Sequence, residues 1–138
     1  MSDAPYTAWV GRSETRRDVI TSAPLRGLSA LLDRDEAWES GEIPPLAHWL
    51  YFLPTTRQSE LGEDGHPRRG GFLPPIELPR RMWAAGRLTF HAPLRVGDAV
   101  ERVSTIKSVT EKAGASGPLV FVTLTHAVRA NGALAIEE

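Results

Sequence analysis

The sequence predicts an α+β domain in which an antiparallel sheet packs around one main helix, and three observations carry that prediction. Apolar and polar residues alternate in the second half of the chain, at Arg87–His91, Ala99–Glu111 and Leu119–Ala130, as half-buried strands require. Turn chemistry separates these runs: Pro93 with Gly97 and Asp98, then Gly114, Gly117 and Pro118, then Asn131-Gly132, the strongest hairpin signal in the chain. Only Ala23–Asp33 sets leucines at helical spacing.

Near the N-terminus, Ala8, Trp9 and Val10 form a short apolar stretch closed by Gly11, and a charged connection leads to Asp18, Val19 and Ile20. Thr21 and Ser22 are suited to cap the helix, and Pro24 sits where the first turn tolerates it. Leu25, Leu28, Leu31 and Leu32 form its apolar stripe, and Gly27 weakens it by roughly 1 kcal/mol relative to Ala. Asp33–Pro45 carries acids, Gly41 and two prolines, and reads as a connecting loop. Leu46–Leu53, LAHWLYFL, is so evenly apolar that periodicity does not separate strand from helix; its aromatic content and the following Pro54 favour a strand.

Thr55–Pro79 is a long Gly- and Pro-rich connection, and a structureless segment of that length inside a compact domain is the first place to seek ligand contacts. The strand at Arg87–His91, with Leu88 and Phe90 facing one way, is expected to reverse at Pro93–Asp98 and leave antiparallel from Ala99. Imperfect alternation over Ala99–Glu111 points to a bulge or a change of exposed face. Val120, Val122, Leu124 and Val128 share a face of the next strand, and the chain returns through Leu134 and Ile136. One leucine-striped helix cannot cover a wide sheet alone, so further cover from a second copy of the fold is expected.

At 138 residues the chain fits a single domain over 1–138. Hydrophobic and charged fractions of 41% and 24%, with a net charge of -1, are those of an ordinary globular protein without a nucleic-acid footprint. The absence of cysteine excludes disulfides and thiolate chemistry and fits a cytoplasmic protein. No run approaches the ~18 apolar residues of a membrane span, and the N-terminus lacks a secretory apolar region.

His48, beside Trp49 in the apolar run, stands where a perturbed imidazole acts as acid or base. A hydrogen-bonded pocket or core histidine is the preferred reading, because no acid stands at a spacing that would orient it. A structural role is also preferred for His91 and His126, and His66 is expected to be exposed. Four scattered histidines without a close pair give no metal site, and no nucleophile elbow or phosphate loop is present. Arg68, Arg69, Arg80 and Arg81 flank the long loop and suit phosphate recognition, but Glu60, Glu63, Asp64 and Glu77 offset them, so a solvated ionic surface is preferred. Trp49, Phe52, Phe72, Leu73, Met82 and Trp83 suit either the wall of an acyl tunnel or hydrophobic core.

Four segments carry a family resemblance: PPLAHWLYFLP at Pro44–Pro54, HPRRGGFLPP at His66–Pro75, LPRRMWAAGRLTFHAPLRVGD at Leu78–Asp98 and SGPLVFVTLTHAV at Ser116–Val128. They resemble the N-terminal half of the fatty-acid-synthase-type-I-like dehydratases within the MaoC-like group, which includes mesaconyl-C4-CoA hydratases and mitochondrial type 2 3-hydroxyacyl-thioester dehydratases. The resemblance implies a hot-dog fold and a hydro-lyase reaction on acyl thioesters of CoA or acyl carrier protein, in which a general acid and base add water across the 2-enoyl double bond while backbone N–H groups polarise the thioester carbonyl.

Members of the group resemble two fused hot-dog units, with the catalytic residues in the second. No match to the second unit's Asp-or-Asn then His motif occurs in this chain, where the nearest candidates, Asp98 with His126 or His91, sit on the wrong elements. The resemblance therefore implies no catalytic residue here, and a substrate-binding unit whose pocket walls include His48, Trp49, Phe52, Phe72, Leu73, Arg80, Arg81, Met82 and Trp83. It implies no metal or cofactor, and a partner in a second hot-dog unit, either a homodimer mate or a catalytic half in a longer chain or separate subunit. A hot-dog thioesterase and an acyl-CoA-binding scaffold module are the alternative readings.

Overall fold

The computed structural model describes residues 4–35 and 41–138. Five strands, β1 (Ser13–Val19), β2 (Thr89–Phe90), β3 (Ala99–Gly114), β4 (Gly117–Ala130) and β5 (Ala133–Glu137), form one sheet in the order β1-β3-β4-β5-β2. Helix α1 (Ala4–Thr7) is a single turn, and α2 (Ser22–Leu31) is the longer helix that leucine spacing predicts. The α+β class and the antiparallel sheet expected from sequence are observed.

The β3-β4-β5 meander follows from its turn residues. Asn131 and Gly132 have φ of 51° and 88°, the positive values that a two-residue type I′ turn demands, and β5 returns along β4 from the Ala130–Ala133 pair. Along β4, half-buried Val120, Val122 and Leu124 alternate with exposed residues, and a register shift falls between Val128 and Arg129. In β3, Val100, Ser104 and Ile106 are the buried residues, all at even positions.

Several expectations are corrected. The Leu88–Phe90 strand shrinks to two residues and pairs with β5, Thr89 opposite Glu137 and Phe90 opposite Ile136, instead of forming a hairpin with β3. The Pro93–Asp98 turn is engaged elsewhere: Gly97 donates to the Ile20 carbonyl (2.8 Å) and Ile20 to that of Asp98 (3.0 Å), which leads β1 to the place beside β3. Strand β1 itself lies where the sequence suggested a charged connection, because an edge strand carries charge in place of an apolar alternation.

The run Leu46–Leu53 is not a strand. It winds into a 3-10 turn at Ala47–Leu50, flanked by Leu46 and Phe52 in the left-handed region at φ of 74° and 58°. Non-glycine residues in that region cost about 1–3 kcal/mol each and persist where their surroundings over-determine them. Phe52 meets that condition: its N–H donates to Asp18 Oδ2 (3.0 Å) and its carbonyl accepts from Arg16 Nη1 (3.3 Å), both on β1. The leucine stripe of α2 is likewise only half used, since Leu25 and Ser29 are buried while Leu31 and Leu32 are exposed. Thr21 occupies the N-cap position without a side-chain capping bond.

The chain divides into two compact units. One comprises residues 15–53, 87–103 and 126–138 and holds a core that includes Ile20, Leu25, Tyr51, Val100, Val128 and Ile136. Within it Tyr51 donates its hydroxyl to the Thr21 carbonyl (2.6 Å), and burial, with the nearby Asp18 charge, raises its pKa. Of the expected Asp33–Pro45 loop, residues 36–40 lie outside the described residues, while Ile43 donates to the Leu94 carbonyl (2.9 Å) and Glu42 pairs with Arg95 at 2.8 Å. The other unit comprises the residues up to Glu14 with 54–86 and 104–125, and carries the long irregular segment. There the His66 N–H donates to Asp64 (3.0 Å) and, helped by the charges of His66, Arg69 and Arg81, holds that carboxyl below its usual range. Among the described residues no helix is long and apolar enough to cross a membrane.

Candidate functional site

The 3-10 turn delivers two neighbouring side chains to one carboxylate. His48 Nε2 lies 3.2 Å from Glu138 Oε2, and Trp49 Nε1 donates to Glu138 Oε1 at 2.9 Å, so each oxygen has its own partner. Glu138 is fixed from behind by a reciprocal backbone pair with His126, its N–H donating at 2.9 Å and its carbonyl accepting at 2.8 Å. The Trp49 and Phe90 rings flank the imidazole at centroid distances of 5.9 and 6.2 Å, Phe90 nearly edge-on at 81°. Every member of this cluster belongs to the unit that holds the core described above.

The chemistry of a carboxylate assigns the donor of the pair. Burial raises the Glu138 pKa, but the hydrogen bonds from His48 and Trp49 counter it, and the carboxyl is left below its usual range. An ionised carboxylate only accepts, so the proton between the pair sits on His48 Nε2. In the neutral ring Nδ1 is then the acceptor. That atom is buried and has no hydrogen-bond partner among the described residues. The acid that sequence spacing failed to reveal is thus supplied 90 residues away by pairing of the final strand, a relation that no local motif encodes.

The remaining candidates divide sharply. His91 is exposed and pairs with Glu137 at 2.8 Å, His126 is half-buried on β4, and His66 is exposed as expected. Asp98 is occupied in its turn, accepting from the Arg95 N–H (2.8 Å) and from Asn131 Nδ2 (3.1 Å). Phe52 is buried in the core, with the Arg102 guanidinium 5.2 Å from its ring centroid. Phe72 and Leu73 are half-buried and Arg80, Arg81, Met82 and Trp83 exposed, all in the other unit. Arg69 donates to the Ile76 and Leu78 carbonyls, which ties it to its own loop. Among the described residues no cluster of three metal-ligating side chains occurs.

A sheet of this order with one long helix is a hot-dog fold. It is similar to the crystal structure of a MaoC-like dehydratase from Rhodospirillum rubrum, with a TM-score of 0.51 and 17% identity over 93% of this chain and 86% of that one, a likeness of fold. Residues 46–138 match the family of hydroxyacyl-thioester dehydratases type 2, and the chain belongs to that family. A mesaconyl-C(4)-CoA hydratase of Chloroflexus aurantiacus is 46% identical over 140 residues, a match covering 100% of this chain and 50% of that protein. The chain therefore spans about half the length of this curated relative.

Proposed function

We propose that this chain is a single hot-dog domain serving as the substrate-binding, non-catalytic unit of an acyl-thioester hydratase or dehydratase. The complete enzyme would interconvert 2-enoyl and 3-hydroxyacyl thioesters of CoA or acyl carrier protein in the cytoplasm, without metal or redox cofactor. A second hot-dog unit supplies the acid and base that add water across the double bond. One observation carries this reading: the whole chain aligns at 46% identity with half of a mesaconyl-C(4)-CoA hydratase. Two features of the site support it. Asp98 is spent on a turn, and the His91–Glu137 pair is exposed, so neither forms a shielded acid and base. His48, Trp49 and Phe52 are proposed as pocket walls within the unit that holds the core, and Phe72, Leu73, Arg80, Arg81, Met82 and Trp83 are proposed as ligand contacts supplied by the other unit.

The test is the ultraviolet absorbance of crotonyl-CoA and mesaconyl-CoA incubated with the purified chain, with a thiol reagent in a parallel sample and thioester binding measured by calorimetry. Binding with an unchanged enoyl band is the expected result. Loss of the band without thiol release overturns the non-catalytic assignment and makes His48 with Glu138 the first pair to mutate. Thiol release identifies a thioesterase instead.

A further inference from the structure

We infer that His48 Nδ1 is the atom through which this unit recognises a hydroxyl group on the acyl chain of its thioester ligand. The inference rests on the proposed substrate-binding role and specifies which atom of the site reads which group of the ligand. Glu138 accepts the hydrogen bond from Nε2–H and holds the neutral ring in one tautomer, leaving Nδ1 as a bare acceptor in a buried place. A buried acceptor without a partner is costly, and a ligand that brings a donor recovers that cost. The flanking rings offer no such donor: the Trp49 N–H is committed to Glu138, and Phe90 has none.

The same observations select the class of ligand group. A bare acceptor takes a donor, so at this atom the site suits a hydroxyl. Of the two thioesters that hydration interconverts, only the 3-hydroxyacyl form carries a hydroxyl on the acyl chain, so the site favours the hydrated partner over the enoyl one. The inference requires one of the two flanking rings to yield to the ligand. Trp49 is tethered by its 2.9 Å bond, whereas Phe90 is exposed on a strand of only two residues, which makes it the ring that moves aside.

The experiment is calorimetric titration of the full chain with 3-hydroxybutyryl-CoA and with butyryl-CoA, which differ only in the hydroxyl. About tenfold tighter binding of the hydroxy ligand is expected, the net worth of one hydrogen bond. His48→Phe, which keeps a ring of similar breadth, brings the ratio to about one. In case that variant does not fold, long-range proton–nitrogen spectra of the wild-type chain report the ring directly, and only the hydroxy ligand is expected to shift His48 Nδ1. Equal binding of the two ligands, or a preference that survives His48→Phe, overturns the inference while the substrate-binding role stands. Binding of neither ligand overturns that role and the inference with it.

Discussion

Two histidine–glutamate pairs use carboxylates at adjacent positions, Glu137 closing β5 and Glu138 just beyond it, and they differ in everything but chemistry. His91 and Glu137 meet at 2.8 Å with side chains 41% and 58% exposed; His48 and Glu138 meet at 3.2 Å with side chains 3% and 17% exposed. The shorter contact is the weaker one in consequence, because water competes for both partners and salt screens them. In the longer contact each partner depends on the other. Its carboxylate also serves Trp49, and its imidazole keeps a second nitrogen for other work. Burial, more than distance, separates an incidental surface pair from a candidate site.

The largest effect expected from breaking this asymmetry is that of Glu138→Ala, which strands the Nε2 proton of a buried ring and the Trp49 N–H. A loss of about 2–3 kcal/mol in urea unfolding is expected, and an unchanged midpoint would remove the cluster from the stability of the fold. Trp49→Phe deletes one of the two donors and is expected to cost about 1 kcal/mol in the same assay. A loss as large as that of Glu138→Ala would mean that the indole, not the imidazole, is the principal partner.

Acid sharpens the comparison further. The folded Glu138 carboxyl titrates below its ordinary value of 4.5, so between the folded and unfolded values the unfolded chain binds more protons and stability rises with pH. The contribution is complete above the ordinary value and is lost as pH falls through the folded one. The stability gap between wild type and Glu138→Gln should therefore close on acidification below about pH 4.5; a gap constant from pH 3 to 7 would refute the assignment. The smallest effect belongs to the exposed pair: a double-mutant cycle of His91→Ala and Glu137→Ala should give a coupling of at most about 0.5 kcal/mol, reduced further by salt. Coupling above 1 kcal/mol would show that exposure is the wrong criterion for ranking the two pairs.

Elements defined by local chemistry were the ones that could be read in advance. The Asn131-Gly132 turn, the alternating strand around Val122 and the helix at Leu25 each depend on residues within a few positions of one another. His48 and Trp49 were legible as candidates because a histidine in an apolar run is conspicuous. The turn that carries them is not legible in the sequence, since the left-handed Phe52 is held by its N–H bond to Asp18 and by the bond its carbonyl accepts from Arg16, both more than 30 residues distant. Nor could sequence rank four histidines, whose exposure depends on what folds over them.

By itself the sequence determined the class of the fold, the central hairpin and the family, because periodicity, turn residues and long matching runs are local properties of the chain. Tertiary structure alone decided that β2 joins β5 instead of β3, that LAHWLYFL is a turn, and that Glu138 is the partner of His48. Each of these is a choice among distant partners, settled by which backbone groups are satisfied and which side chains are removed from water, and no pattern of neighbouring residues records it.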